Sequence, residues 1–140
     1  MDEQLAFKSA TELRDLIATK QISPVELMET FFRRIERLDT HLNSFLLVTQ
    51  DLAMTQAREA EEAVIRGDSI GPLHGLPLPI KDTQMTAGIT TTMGSVVFKE
   101  RVPEKNAAVV DRVLEAGAVI PGKTNVPEFG MVGTCERPGR

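Results

Sequence analysis

Lys81 closes the run Gly71-Pro72-Leu73-His74-Gly75-Leu76-Pro77-Leu78-Pro79-Ile80-Lys81-Asp82, in which an apolar, proline-ruled segment delivers one ammonium group. A lysine at the mouth of an apolar strand can lose solvation, which disfavours its charged form and leaves an amine able to accept a proton. A surface lysine paired with an acid elsewhere fits the same spacing and is the commoner arrangement. Residue type alone leaves both readings open.

The other reactive side chains are weaker. Ser95 is the first serine after Lys81, but nothing around it is glycine-rich enough to form an oxyanion hole, and it reads better as a turn or helix-capping serine. His74 sits in a loop with no motif partner, His41 being far off in sequence, which suits a structural histidine. Gly117-Ala118-Val119-Ile120-Pro121-Gly122-Lys123-Thr124 satisfies the formal pattern of a phosphate-binding loop. A working loop follows a strand and opens a helix, so that backbone amides surround the phosphate. Here Gly117 closes a helical pattern, the four spacers read as an apolar strand, and Pro127 leaves little room for a helix, so the match is accidental.

Helices and strands must hold these groups. Ser9 with Glu12, and Ser23 with Pro24 and Glu26, form two capping boxes, each opening a helix. In the second helix Val25, Met28, Phe32, Ile35 and Leu38 make one apolar stripe, leaving Glu29, Arg33, Arg34 and Arg37 to solvent. Phe45-Leu46-Leu47-Val48 suits a short buried strand. A third helix between Asp51 and Arg66 carries Ala53, Ala57, Ala60 and Val64 on one face and ends at Gly67. From Asp68 to Gly94, prolines, glycines and Thr90-Thr91-Thr92 replace the helical pattern, and site chemistry should sit there. A fourth helix over residues 107–116, with Val110, Val113 and Leu114 on one face, leads into the strand Ala118-Val119-Ile120. A further strand is expected over residues 78–80. Such helix–strand alternation implies an α/β architecture, and no repeat or linker divides the chain.

Acidic residues outnumber basic ones by 20 to 16, and no stretch gathers lysine and arginine, so direct nucleic-acid binding is not expected. The single cysteine, Cys135, has no cysteine partner and no histidine nearby, which argues against a disulfide, a metal site or a catalytic thiol, and fits a reducing compartment. The acidic N-terminus and the lack of a long apolar run predict a cytoplasmic chain with no membrane association.

The segments Gly71 to Asp82 and Gly122-Lys123-Thr124-Asn125-Val126-Pro127-Glu128-Phe129 resemble the amidase signature family. The resemblance covers roughly the chain from Gly71 onward and implies that the α/β fold is part of the family's mixed-sheet domain, with a helical portion at 1–67 and a signature segment at 71–140. It implies amide hydrolysis by a serine, cis-serine and lysine triad, with Lys81 as the catalytic lysine. Gly130 and Met131 then fall where family members line the acyl site. No metal or organic cofactor is implied, and the partner is a small-molecule amide. The cis-serine is expected roughly fifteen to twenty residues past Arg140 and the nucleophile farther on, which would leave the 140 residues inactive alone. Thr134-Cys135-Glu136 departs from the family's serine-, threonine- and asparagine-rich stretch. Glu128 after a proline leans toward general amidases. The A subunit of a glutamine-dependent tRNA amidotransferase and a non-catalytic interaction module are the alternatives. Strands deprived of neighbours would expose edges, so self-association of the isolated chain is expected.

Overall fold

The computed structural model describes residues 3–131. Local rules place the helices. At both predicted boxes the serine side chain accepts the backbone N–H three residues on while that residue's carboxylate accepts the serine N–H. They open α1 (Ala10–Ala18) and α2 (Pro24–Leu42), the latter with Pro24 in its first turn. α3 (Gln50–Arg66) ends at Gly67, whose φ of 80° is left-handed. α4 (Ala108–Glu115) occupies the expected fourth position.

The helices pack through the predicted faces, with one addition. Ala53, Ala57 and Ala60 of α3 are buried, and Ala53 and Ala57 meet Met28 and Phe32 of α2 in one apolar cluster. Side chains this small let two helix backbones approach closely at native packing density. Leu27, outside the predicted stripe, is buried in a second cluster with Leu5, Leu13, Ile17, Val64 and Leu76. α2 therefore contributes to two clusters, which a single-stripe reading does not anticipate.

The sheet is mixed, with order β1 (Phe45–Val48), β3 (Gly122–Thr124), β2 (Ile80–Lys81). Central β3 runs antiparallel to β1 and parallel to β2, pairing Ile80 with Lys123 and Lys81 with Thr124. Two strand boundaries differ from expectation. Strands are expected at 118–120 and 78–80, but the ladder forms at 122–124 and 80–81, with only one bridge, Pro77 to Val119, upstream. Pro77, Pro79 and Pro121 have no N–H to donate, so a continuous ladder cannot pass through them. The 118–120 run is apolar because it is buried, and polar groups of other elements complete its bonding: Ile120 N donates to Gln56 Oε1 at 3.0 Å and Thr49 N donates to the Pro121 carbonyl at 3.0 Å. At Gly122 a side chain is sterically excluded, since a Cβ there would lie 2.2 Å from the Leu47 carbonyl oxygen.

Candidate active site

β2 ends at Lys81, and alternation along the strand sends consecutive side chains to opposite sides. Lys81 is exposed, whereas Asp82 is fully buried. The desolvated lysine expected from the apolar approach is thus not found at position 81 within the described residues. The buried lysine is Lys123, on β3.

Asp82 and Lys123 organise the segment that follows Lys81. One carboxylate oxygen, Oδ2, accepts the Thr92 N–H at 2.9 Å and the Thr92 hydroxyl at 2.6 Å. The other, Oδ1, is buried without a hydrogen bond and faces Lys123 Nζ at 3.5 Å. The Lys123 ammonium donates to the Gln84 carbonyl at 2.7 Å, the Thr91 hydroxyl at 2.7 Å and the Thr86 hydroxyl at 3.1 Å. Burial pushes Lys123 below the ordinary lysine range, and the Asp82 carboxylate opposes that shift. Asp82 N also donates to the Thr124 carbonyl at 3.2 Å, extending the β2–β3 pairing one residue past Lys81. The turn from 82 to 92 is therefore tied to β3 by an internal salt bridge and hydroxyl contacts, with Lys81 at its root.

Two backbone pairs in left-handed conformation stand beside it. Met93 and Gly94 have φ of 55° and 73°, Phe129 and Gly130 of 53° and 71°, and Phe129 N donates to the Met93 carbonyl at 2.8 Å. A Cβ at Gly94 would come within 2.7 Å of the Val126 carbonyl oxygen, so the first pair presses on the segment leading to the second. Positive φ at bulky Met and Phe costs on the order of 1–3 kcal/mol each and marks sites where surrounding structure over-determines the backbone. Phe129 also packs edge-to-face on Phe98, with ring centroids 6.2 Å apart. The Lys81 amine lies 4.0 Å from where a Cβ on Gly130 would be, and Thr83 Cγ2 lies 3.5 Å from that point. Lys81 and Gly130 are thus brought together, and Met131 follows at 80% exposure.

The remaining residues behave as structural groups. His74 Nε2 hydrogen-bonds the Ala60 carbonyl at 2.9 Å. Ser95 is buried and caps the turn Val96–Phe98 by accepting from Val97 N. The phosphate-loop pattern places its lysine inside β3 with every contact internal, and β3 in place of a helix, so it forms no anion cradle. Cys135 and the 134–136 departure lie outside the described residues. A cleft of about 820 Å³ lined by Phe32, Arg33, Gln50, Met54 and Arg58 among others lies along α2 and α3 and includes neither Lys81 nor Gly130. Among the described residues no helix is long and apolar enough to cross a membrane, and no three His, Cys, Asp or Glu side chains gather as metal ligands.

The Amidase family model matches residues 26–140. The chain belongs to the Amidase family. The match begins within α2, so most of the helical portion, and not only the chain from Gly71, carries the family's pattern. The chain is 41% identical over 133 residues to the A subunit of glutamyl-tRNA(Gln) amidotransferase from Carboxydothermus hydrogenoformans, covering 95% of this chain and 27% of the relative. It is 46% identical over 123 residues to the protein of the same name from Aromatoleum aromaticum, covering 88% of this chain and 25% of that one. Among solved structures it resembles the peptide amidase of Stenotrophomonas maltophilia, at 30% identity and a TM-score of 0.85 over 91% of this chain and 26% of that one. A bacterial aryl acylamidase of the amidase signature family gives 30% identity and a TM-score of 0.85 over 91% of this chain and 27% of that one. The chain thus spans about a quarter of the length of these Amidase relatives.

The Asp82–Lys123 pair is not anticipated by the sequence reading. A signal existed: Lys123 closely follows the apolar run Ala118-Val119-Ile120, where a buried cation needs an acid, and Asp82 and three consecutive threonines offer acceptors.

Proposed function

We propose that this chain supplies the lysine corner of an amide-hydrolysing centre, with Lys81 as the base and the 129–131 strap, through Gly130 and Met131, beside the acyl group. The observation that carries the reading is the placement of the Lys81 amine at the end of β2, facing Gly130, on a strand end anchored by buried Asp82 and Lys123. In this mechanism Lys81 takes a proton from the cis-serine as the cis-serine takes one from the nucleophilic serine. The serine oxygen adds to the amide carbonyl carbon, the C–N bond breaks, and the proton returns through the cis-serine to the departing nitrogen. Water then adds to the acyl-enzyme and releases the acid. The mechanism takes both serines from outside the 140 residues.

The test is ammonia release from aliphatic and aromatic amides by the 140-residue chain and by the chain continued through its natural downstream sequence. Activity is expected only in the longer form and should fall by about 10²–10⁴ in Lys81→Ala. Turnover by the 140 residues alone would sink the reading and require another nucleophile, while inactivity in both forms would favour a non-catalytic module.

A second reading is supported by the relatives named as A subunits of the amidotransferase, which reach 46% identity where the solved peptide amidase reaches 30%. On that reading the amide is glutamine and the ammonia passes to a partner protein. Glutamine turnover far above that of simple amides, increased by a partner protein, would select it.

A further inference from the structure

Lys123 and Asp82 are buried ionisable groups that the proposed chemistry does not use. We propose that Lys123 is a positioning residue for Lys81, its buried ammonium fixing the turn that leaves β2 and balancing the charge of Asp82, the residue that follows Lys81. The proposal rests on Lys81 being the base.

The geometry supports both parts. Lys81 and Asp82 are consecutive, and Asp82 is held from three directions: by Thr92 through Oδ2, by Lys123 at 3.5 Å from Oδ1, and by its own N–H to the Thr124 carbonyl. Lys123 in turn gathers Gln84, Thr86 and Thr91 from the same turn, so one ammonium spans the turn that begins at Lys81. Asp82 is the charged group that faces Lys123, its other partners being a carbonyl and two hydroxyls. Around Lys81 stand Asp82, which follows it in the turn, Thr124 across the ladder, and Gly130 near its amine with Thr83 against the same glycine. Of these only Asp82 titrates. With Lys123 present, the carboxylate is offset. Without it, a full negative charge sits one residue from the base and favours its protonated form.

The measurement is the pH dependence of kcat/KM for amide hydrolysis in the downstream-extended protein, whose acid limb follows protonation of the base. Lys123→Met should move that limb to higher pH by several tenths of a pH unit up to about 1.5 units, the range Coulomb's law gives for the loss of one nearby charge between bulk-water and surface dielectrics. Lys123→Met combined with Asp82→Asn removes both charges and should return the limb to the parental position. A purely structural role would lower kcat/KM at every pH and leave the limb in place, and a folded Lys123→Met with an unmoved limb overturns the proposal. If Lys123→Met does not fold, Asp82→Asn replaces it: an ammonium without its carboxylate should shift the limb to lower pH, and an unmoved limb again overturns the proposal. Lys81→Ala separates the two ideas, because activity surviving that change removes the base itself, whereas its loss beside an unmoved limb removes only the role of Lys123.

Discussion

At the scale of the residue, the Asp82–Lys123 contact governs stability as well as position. Removing one member of a buried pair strands the other charge, so Lys123→Met should destabilise the protein by about 3–5 kcal/mol in urea unfolding, and adding Asp82→Asn should recover part of that loss. The contact also has a pH signature. Because burial holds Lys123 below the ordinary lysine range, the folded state gives up that proton more readily than the unfolded chain. The unfolded state then binds more protons between the lowered folded value and the ordinary one, and stability rises with pH across that window. The contribution is lost as pH falls through the folded value. The gap between the urea midpoints of the parent and Lys123→Met should therefore widen from neutral pH toward pH 10, and a constant gap would contradict the assignment.

At the scale of the element, β3 is the most sensitive piece. Its first residue must approach β1 without a side chain, so Gly122→Ala forces a Cβ to within 2.2 Å of the Leu47 carbonyl oxygen. The expected loss is about 1–3 kcal/mol, the usual cost of overpacking, read as a lower denaturation midpoint. Because β3 also carries Lys123 and pairs with Lys81, the same substitution should depress amide hydrolysis in the extended protein. Elements set by short-range rules were legible in the sequence. The serine–glutamate boxes act over three residues, and the alanine face of α3 follows one helical period, so both could be read directly. The strand boundaries could not, because apolarity reports burial while the ladder depends on where prolines withhold an N–H. The motif singles out Lys81 and the resemblance singles out Gly130, and the two lie close together, while their roles are those proposed above. The exposure of Lys81 and the burial of Lys123 were not legible, since which of two lysines ends inside the protein depends on β2 and β3 meeting.

At the scale of the whole molecule, the three-stranded sheet leaves β1 and β2 as its edges, and Val96, Val97 and Met131 are largely exposed, Val97 at 78%. Open strand edges and apolar surface invite pairing between copies. The 140-residue chain alone is expected to associate or dissolve poorly, and the downstream-extended protein to elute as a smaller, defined species in size-exclusion chromatography. A monomeric 140-residue chain with a sharp unfolding transition would contradict this.

The Asp82–Lys123 contact has a last consequence, for the order of events during synthesis. α1, α2 and α3 can form from neighbouring residues as they emerge, but Lys123 bonds the Gln84 carbonyl 39 positions upstream. At ribosomal rates of about 5–20 residues per second, Lys81 and Asp82 wait for seconds before the ammonium that will anchor them exists. During that interval a carboxylate destined for the interior remains in water. The amine at position 81 thus acquires its final setting late, after the helical part of the chain has been made.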